Sequence, residues 1–196
     1  MVSMLILIAG TIALLAVIEE RSGLLKDGDQ APEFAAVLHT GERFALRDFR
    51  STRAVVLFFY PKDFSQGCTQ QACAFRDNFS KIRDLGAVVV GISRDDSSTH
   101  HSFVERHNLP YSLLTDTDGT ISRSYGVLRF GGLLPLTKRV TYVIDRLGVI
   151  RGVFHHELRI DRHVEDVIRI LEELGTERTV EAGGEVAEEA GQRTTG

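Results

Sequence analysis

Two runs of β-branched and aromatic residues, Ala54-Val55-Val56-Leu57-Phe58-Phe59-Tyr60 and Ala87-Val88-Val89-Val90-Gly91-Ile92-Ser93, limit what this chain can become more than any other feature. Neither alternates polar with apolar residues, so neither can leave a face in water, and each reads as a strand covered on both sides. Between them, from about Gly67 to Leu85, apolar side chains recur at a helical period at Ala72, Phe75, Phe79, Ile82 and Leu85, and Gly86 closes the helix. Buried strand, amphipathic helix, buried strand: that order implies parallel pairing.

The remaining elements extend the same plan. Asp96 or Ser97 can cap a helix that runs to about His107 and stops at Asn108-Leu109-Pro110. A short strand over Tyr111 to Leu114 and a short helix over Asp118 to Tyr125 follow, with Asp116 and Asp118 serving as turn and cap residues. Val140 to Asp145 and Val149 to Phe154 flank a Gly148 turn and form an antiparallel pair. A last helix from about Asp161 to Leu174 places Val164, Val167, Ile168, Leu171 and Leu174 on one face. Upstream, Glu33 to Leu38 and Arg43 to Leu46 flank the hairpin residues His39-Thr40-Gly41-Glu42. The order β-α-β-α-β and then β-β-α gives an α/β fold, a thioredoxin-like mixed sheet flanked by helices.

A chain of 196 residues with 43% hydrophobic content buries one full-sized core and little more. Its formal charge of -4 supplies no basic stripe, so no nucleic-acid partner is expected. Nothing in it calls for more than a monomer or weak dimer. Two cysteines in a chain this long do not staple a scaffold; they are a redox pair or nothing.

Residues 1–18 are apolar or small except for Ser3 and Thr11, and the run ends at Glu19-Glu20-Arg21. As a helix it would span about 27 Å, close to the roughly 30 Å of a bilayer's hydrocarbon core. Lacking the basic start and small-x-small end of a cleaved signal, it reads as an uncleaved, single-pass hydrophobic anchor helix. A buried core helix is the alternative, disfavoured because the run is apolar all round. Arg21 and Lys26 follow the run, which inclines the domain towards the cytoplasmic side. The expected organisation is therefore an anchor over 1–18, a linker over 19–30, a domain over 31–174 and a disordered Glu-, Gly- and Thr-rich tail over 175–196.

The chemistry concentrates between Phe58 and Phe79, FFYPKDFSQGCTQQACAFRDNF, where a buried strand stops at Pro61 and a helix begins with both cysteines in it. A thiol in the first turn of a helix meets unpaired backbone N–H groups and the positive end of the helix dipole, which favour the reactive thiolate. Cys68 is that thiol. Cys73 follows five residues on; on an intact helix its Cα would lie about 8.6 Å away and about 140° around the axis. That exceeds the roughly 7 Å reach of a disulfide, so the helix end must open before the two can join. Gly67 and the polar Thr69-Gln70-Gln71 make that end inexpensive to open. The same geometry disfavours a permanent structural disulfide, and a buried apolar Cys73 is the remaining alternative. The seven histidines show no metal-ligand spacing, because neighbours such as His100-His101 and His155-His156 point apart; they are read as exposed polar positions.

The pattern Pro61-x-x-x-Ser65-x-x-Cys68 resembles the active-site motif of the peroxiredoxins, and the wider string YPKDFSQGCTQQAC is similar to their bacterioferritin-comigratory or Q-type subfamily. The resemblance covers about Leu25 to Leu174. It implies a thiol-dependent peroxidase of thioredoxin-like fold that needs no metal, haem or flavin. Cys68 would attack hydrogen peroxide or a small organic hydroperoxide, Cys73 would resolve the sulfenic acid as an intramolecular disulfide, and a thioredoxin-like dithiol would reduce it. By the same resemblance Ser65 supplies the hydroxyl, Pro61 shields the thiolate, and Arg139, immediately before the strand at Val140, supplies the active-site cation; the alternative for Arg139 is a surface position at a strand entry. The subfamily's Thr-Pro is Ser65-Gln66 here, which keeps the hydroxyl but loses the proline; reduced rather than abolished activity is expected. Disulfide oxidoreductases of the same fold keep Cys-x-x-Cys, whereas four residues separate these thiols. A peroxide sensor or redox interaction module without efficient turnover is the alternative.

Overall fold

The computed structural model describes residues 23–129, 136–156, 159–160 and 162–176. A five-stranded sheet forms the centre in the order β5-β4-β3-β6-β7, with β3 Ala54–Phe59, β4 Ala87–Ser93, β5 Ser112–Thr115, β6 Val140–Ile144 and β7 Ile150–Phe154. β3 runs parallel to β4, and β4 to β5; β6 lies antiparallel to both β3 and β7. The two runs that carry no alternation are the two most central strands on the parallel side. All six residues of β3 are buried, as strands with helices or a hairpin over each face require.

Successive side chains of β3 feed opposite cores. Val56 and Phe58, with Tyr60 just beyond, enter one with Phe75, Ile82, Phe103 and Leu171; Val55, Leu57 and Phe59 enter the other with Phe44, Ile92, Tyr125 and Tyr142. The first core is covered by α1 Gln66–Asp77, α2 Phe79–Asp84, α3 Ser97–His107 and a helix over 162–176, α5. The second is covered by α4 Thr120–Ser124 and a separate hairpin of β1 Ala35–Val37 and β2 Arg43–Ala45, with a 3-10 turn over Leu46–Phe49. Phe58 stacks on Phe75 at 4.6 Å between ring centroids, and this contact seats α1 on the sheet. Gly91 makes room for it, because a Cβ there would come within 2.6 Å of the Phe58 ring and of Leu113.

The long helix expected from Gly67 to Leu85 is two helices. Asn78 interrupts it: its side-chain amide donates to the Ala74 carbonyl at 3.0 Å, competing with the backbone ladder. The segment expected to be a linker up to residue 30 belongs to the fold from at least Gly28, which donates to the Ile150 carbonyl at 2.9 Å, while the Ala31 N–H reaches the Gly148 carbonyl at 2.9 Å. The last helix continues to 176, past the expected end of the domain at 174.

The membrane-anchored, cytoplasm-facing placement expected from the sequence is corrected. Among the described residues no helix is long and apolar enough to cross a membrane. The longest, over 162–176, reaches only about 22 Å and has one polar face. The apolar run over 1–18 and residues 177–196 lie outside the described residues.

Candidate active site

The site forms where β3 ends. Tyr60 still donates its N–H to the Ile92 carbonyl at 3.1 Å, but Pro61 has no N–H to continue the ladder and the chain leaves the sheet there. Four residues later Ser65 takes the N-cap position of α1, its carbonyl accepting from the Thr69 N–H at 2.9 Å. Gln66 is the first helical residue. Proline suits that position because the N–H there has no helical partner, and glutamine keeps the helix without it.

Cys68 therefore lies in the first turn of α1, 1% exposed. Arg139, immediately before β6, is itself 6% exposed, and its Nη2 donates to Cys68 Sγ at 3.4 Å. It is not a surface arginine. The antiparallel pairing of Phe59 with Val140 brings it there, since it sets the start of β6 against the end of β3. A guanidinium against a sulfur in a helical first turn is an arrangement suited to an anionic sulfur.

Gln71 completes the arrangement. It is 0% exposed, and its Oε1 accepts from Arg139 Nη1 at 2.6 Å, so the two ends of the guanidinium fork are shared between sulfur and amide. In the sequence Gln71 reads only as part of an easily opened polar stretch. Its signal was the spacing from Cys68, three residues along the same helix face. Gly67 lets the arginine approach: a Cβ there would meet Arg139 Nη2 at 3.0 Å and Ile160 Cδ1 at 3.3 Å. Arg139 Nε and Gln71 Nε2 are buried without a partner among the described residues.

Of the other expected site residues, Pro61 is half-buried at the start of the loop. Ser65 is exposed and donates its hydroxyl to the Lys62 carbonyl at 3.0 Å; it makes no side-chain cap bond to α1. Cys73 is partly exposed, and both cysteines are free thiols.

The reading of the histidines as exposed is corrected for two of them. His100 and His163 are both 0% exposed. His100 sits on the inner face of α3 three residues before the fully buried Phe103, a helical spacing that marks it as inward-facing. His163 Nδ1 lies 2.9 Å from the Thr141 hydroxyl and its Nε2 3.0 Å from the His156 carbonyl. Burial holds its imidazole down to about 4, helped by the nearby positive charge of Arg139.

The family model described as the AhpC/TSA family matches residues 28–153. The chain is 41% identical over 145 residues to the putative peroxiredoxin bcp of Coxiella burnetii, covering 72% of this chain and 95% of that protein. It is 39% identical over 151 residues to the chloroplastic peroxiredoxin Q of Suaeda salsa, covering 76% and 69%. Among solved structures, the peroxidoxin BcpB from Mycobacterium tuberculosis superposes with a TM-score of 0.71 at 36% identity, over 76% of this chain and 97% of that one. The apolar run over 1–18 lies outside the region that the family model matches.

Proposed function

The chain belongs to the AhpC/TSA family of thiol-dependent peroxidases, resembling its Q and bcp members, and from that premise we propose that Cys68 is the peroxide-reacting thiol and Cys73 its resolving partner. In the first step the Cys68 thiolate attacks the terminal oxygen of a hydroperoxide. The O–O bond breaks, the sulfur gains the OH as a sulfenic acid, and the departing alkoxide or hydroxide takes up a proton. Negative charge shifts from sulfur to the leaving oxygen during that step, and Arg139 stabilises it on both atoms. The Ser65 hydroxyl is the second polar group that meets the peroxide, and Pro61 keeps water from the thiolate. Cys73 then attacks the oxidised sulfur, expelling water and closing a disulfide that a thioredoxin-like dithiol reduces.

The observation that carries this reading is the contact of Arg139 Nη2 with Cys68 Sγ at 3.4 Å inside a buried first turn. A cation shared between a thiol and a neutral amide, with unpartnered donors remaining, is what charge transfer from sulfur to oxygen requires. The deciding experiment is peroxide-dependent oxidation of reduced thioredoxin by the full chain. Many turnovers per protein molecule are expected. One oxidation per molecule with no recycling would overturn the catalytic cycle and favour a peroxide sensor.

A further inference from the structure

Directly behind the loop that leads to Cys68 lies a polar cluster to which none of the steps above assigns a task. Asp63, midway between Pro61 and Ser65, is 2% exposed. Its Oδ1 accepts from the Tyr60 hydroxyl at 2.7 Å, and its Oδ2 lies 2.7 Å from His100 Nδ1. Its backbone N–H donates at 2.9 Å to Asp95 Oδ2, which also accepts from the Ser93 hydroxyl at 2.6 Å. One loop residue is thus tied at three atoms to the end of β3, the segment after β4, and α3.

Such a cluster is a poor way to gain stability alone. Burying a carboxylate carries a desolvation penalty that its partners must first repay, and an apolar trio of similar volume often does as well or better. What a hydrogen-bonded carboxylate supplies and an apolar plug does not is direction. His100 shows the same bias: a short contact with an acceptor-only carboxylate needs a proton on Nδ1, while its Nε2 is buried with no partner among the described residues. A histidine satisfied on one side only has a single polar task, which is to hold Asp63. Tyr60 complements it, since burial beside Asp63 pushes its phenol well above the ordinary range and keeps it a donor.

The consequence appears at the next residue. Phe64 has φ of 59°, a left-handed conformation that is unfavourable for a non-glycine residue, and the residue is 51% exposed although its ring lies edge-on to Phe103 with centroids 5.1 Å apart. The chain is drawn inward at Asp63 and turned sharply outward at Phe64, and this turn sets where Ser65 begins α1. We propose that Asp63, held by His100 and Tyr60, is the positioning residue that sets the Pro61–Ser65 loop and, through it, aligns the first turn of α1 for attack by Cys68 on peroxide. This inference rests on the peroxidase reading of Cys68.

Two rates measured on the full chain test it: oxidation of Cys68 by hydrogen peroxide, which depends on alignment, and its alkylation by iodoacetamide, which depends on access. Asp63→Ala and His100→Ala are expected to slow peroxide oxidation by about tenfold or more while alkylation changes less than about twofold or rises. His100→Asn, whose amide N–H can take the place of Nδ1–H, is expected to return the peroxide rate to within about threefold of wild type. Tyr60→Phe, which removes one hydroxyl and keeps the packing, gives a smaller loss in the same direction and reads the proposal even where Asp63→Ala does not fold. Peroxide rates for His100→Ala and Tyr60→Phe within about twofold of wild type overturn it, as does a parallel fall in both rates, the mark of general loosening. A wild-type Cys68 that peroxide does not oxidise overturns the peroxidase reading instead.

Discussion

Cys68 and Cys73 ride one continuous helix, Gln66–Asp77, the first sulfur buried and the second partly exposed. Five positions on an α-helix are about 140° around the axis and about 8.6 Å between Cα atoms, beyond the roughly 7 Å that a disulfide spans. The two halves of the helix are held very differently. The far half is pinned by the Tyr111 hydroxyl on the Ala72 carbonyl at 2.7 Å, by Phe75 on Phe58 and by Arg76 Nη1 on the His107 carbonyl at 2.9 Å. The near half depends on Cys68 and on Gln71 through Arg139. Oxidising the sulfur disturbs the very contact that holds this end.

Local opening on oxidation is therefore expected to be confined to one end of the helix. In amide hydrogen exchange after one equivalent of peroxide, residues 69–72 should lose protection by about tenfold or more while residues 76–77 keep theirs. The Cys73→Ser variant, which cannot lock the opened end in a disulfide, should lose less protection there than wild type. Uniform loss of protection along the whole helix would contradict the division described above.

The two thiols are expected to fail differently. Cys68→Ser should be inert towards peroxide in stopped-flow measurements. Cys73→Ser should be oxidised once, at a rate close to wild type, and then not be recycled by thioredoxin. Fast reaction with peroxide in the absence of Cys68 would remove the assignment of the nucleophile.

Replacing Arg139 by Met keeps the volume and removes the charge. A loss of about 10²- to 10³-fold in the rate of Cys68 oxidation is expected, the scale seen when one preorganised donor to a developing charge is removed. Gly67→Ala reaches the same contact from the other side, because its methyl would crowd Arg139 Nη2 at 3.0 Å. It should slow peroxide oxidation although alanine is the better helix former. An unchanged or faster rate in Gly67→Ala would show that the position of the guanidinium has slack.

His163 gives a stability prediction with a definite sign. It is buried, and its imidazole is held down to about 4 from an unfolded value near 6.5, so below about pH 6.5 the unfolded chain takes up a proton that the folded chain refuses. Stability from this group is complete above that pH, falls as pH drops through the window, and is gone below about 4; the full difference is on the order of 3 kcal/mol. Denaturant unfolding between pH 7 and pH 4.5 should fall more steeply for wild type than for His163→Gln. Parallel curves would exclude His163 as a source of the acid sensitivity.

Much of the scaffold is written in local patterns. A strand buried on both faces has no alternation, and Ala54–Phe59 and Ala87–Ser93 could be read as central strands for that reason alone. The helix faces carrying Phe75, Ile82, Val167 and Leu171 follow from a 3.6-residue period, and the last hairpin follows from Gly148. Cys68 stands out in the sequence because a thiol at a strand-to-helix junction has a chemistry independent of what surrounds it, whereas Arg139 is singled out only through the family resemblance; by itself an arginine at a strand entry reads as a surface residue.

Tertiary structure alone decided what touches what. That Arg139 reaches the sulfur depends on β6 pairing antiparallel with β3, a register no local pattern encodes. Gln71, Asp63 and His100 look in the sequence like polar residues destined for water. They are buried because partners 68 and 37 residues away supply their hydrogen bonds. A polar side chain goes inside only where the fold has already placed its complement, so its burial is a property of the assembled molecule, whereas apolar periodicity belongs to each segment by itself.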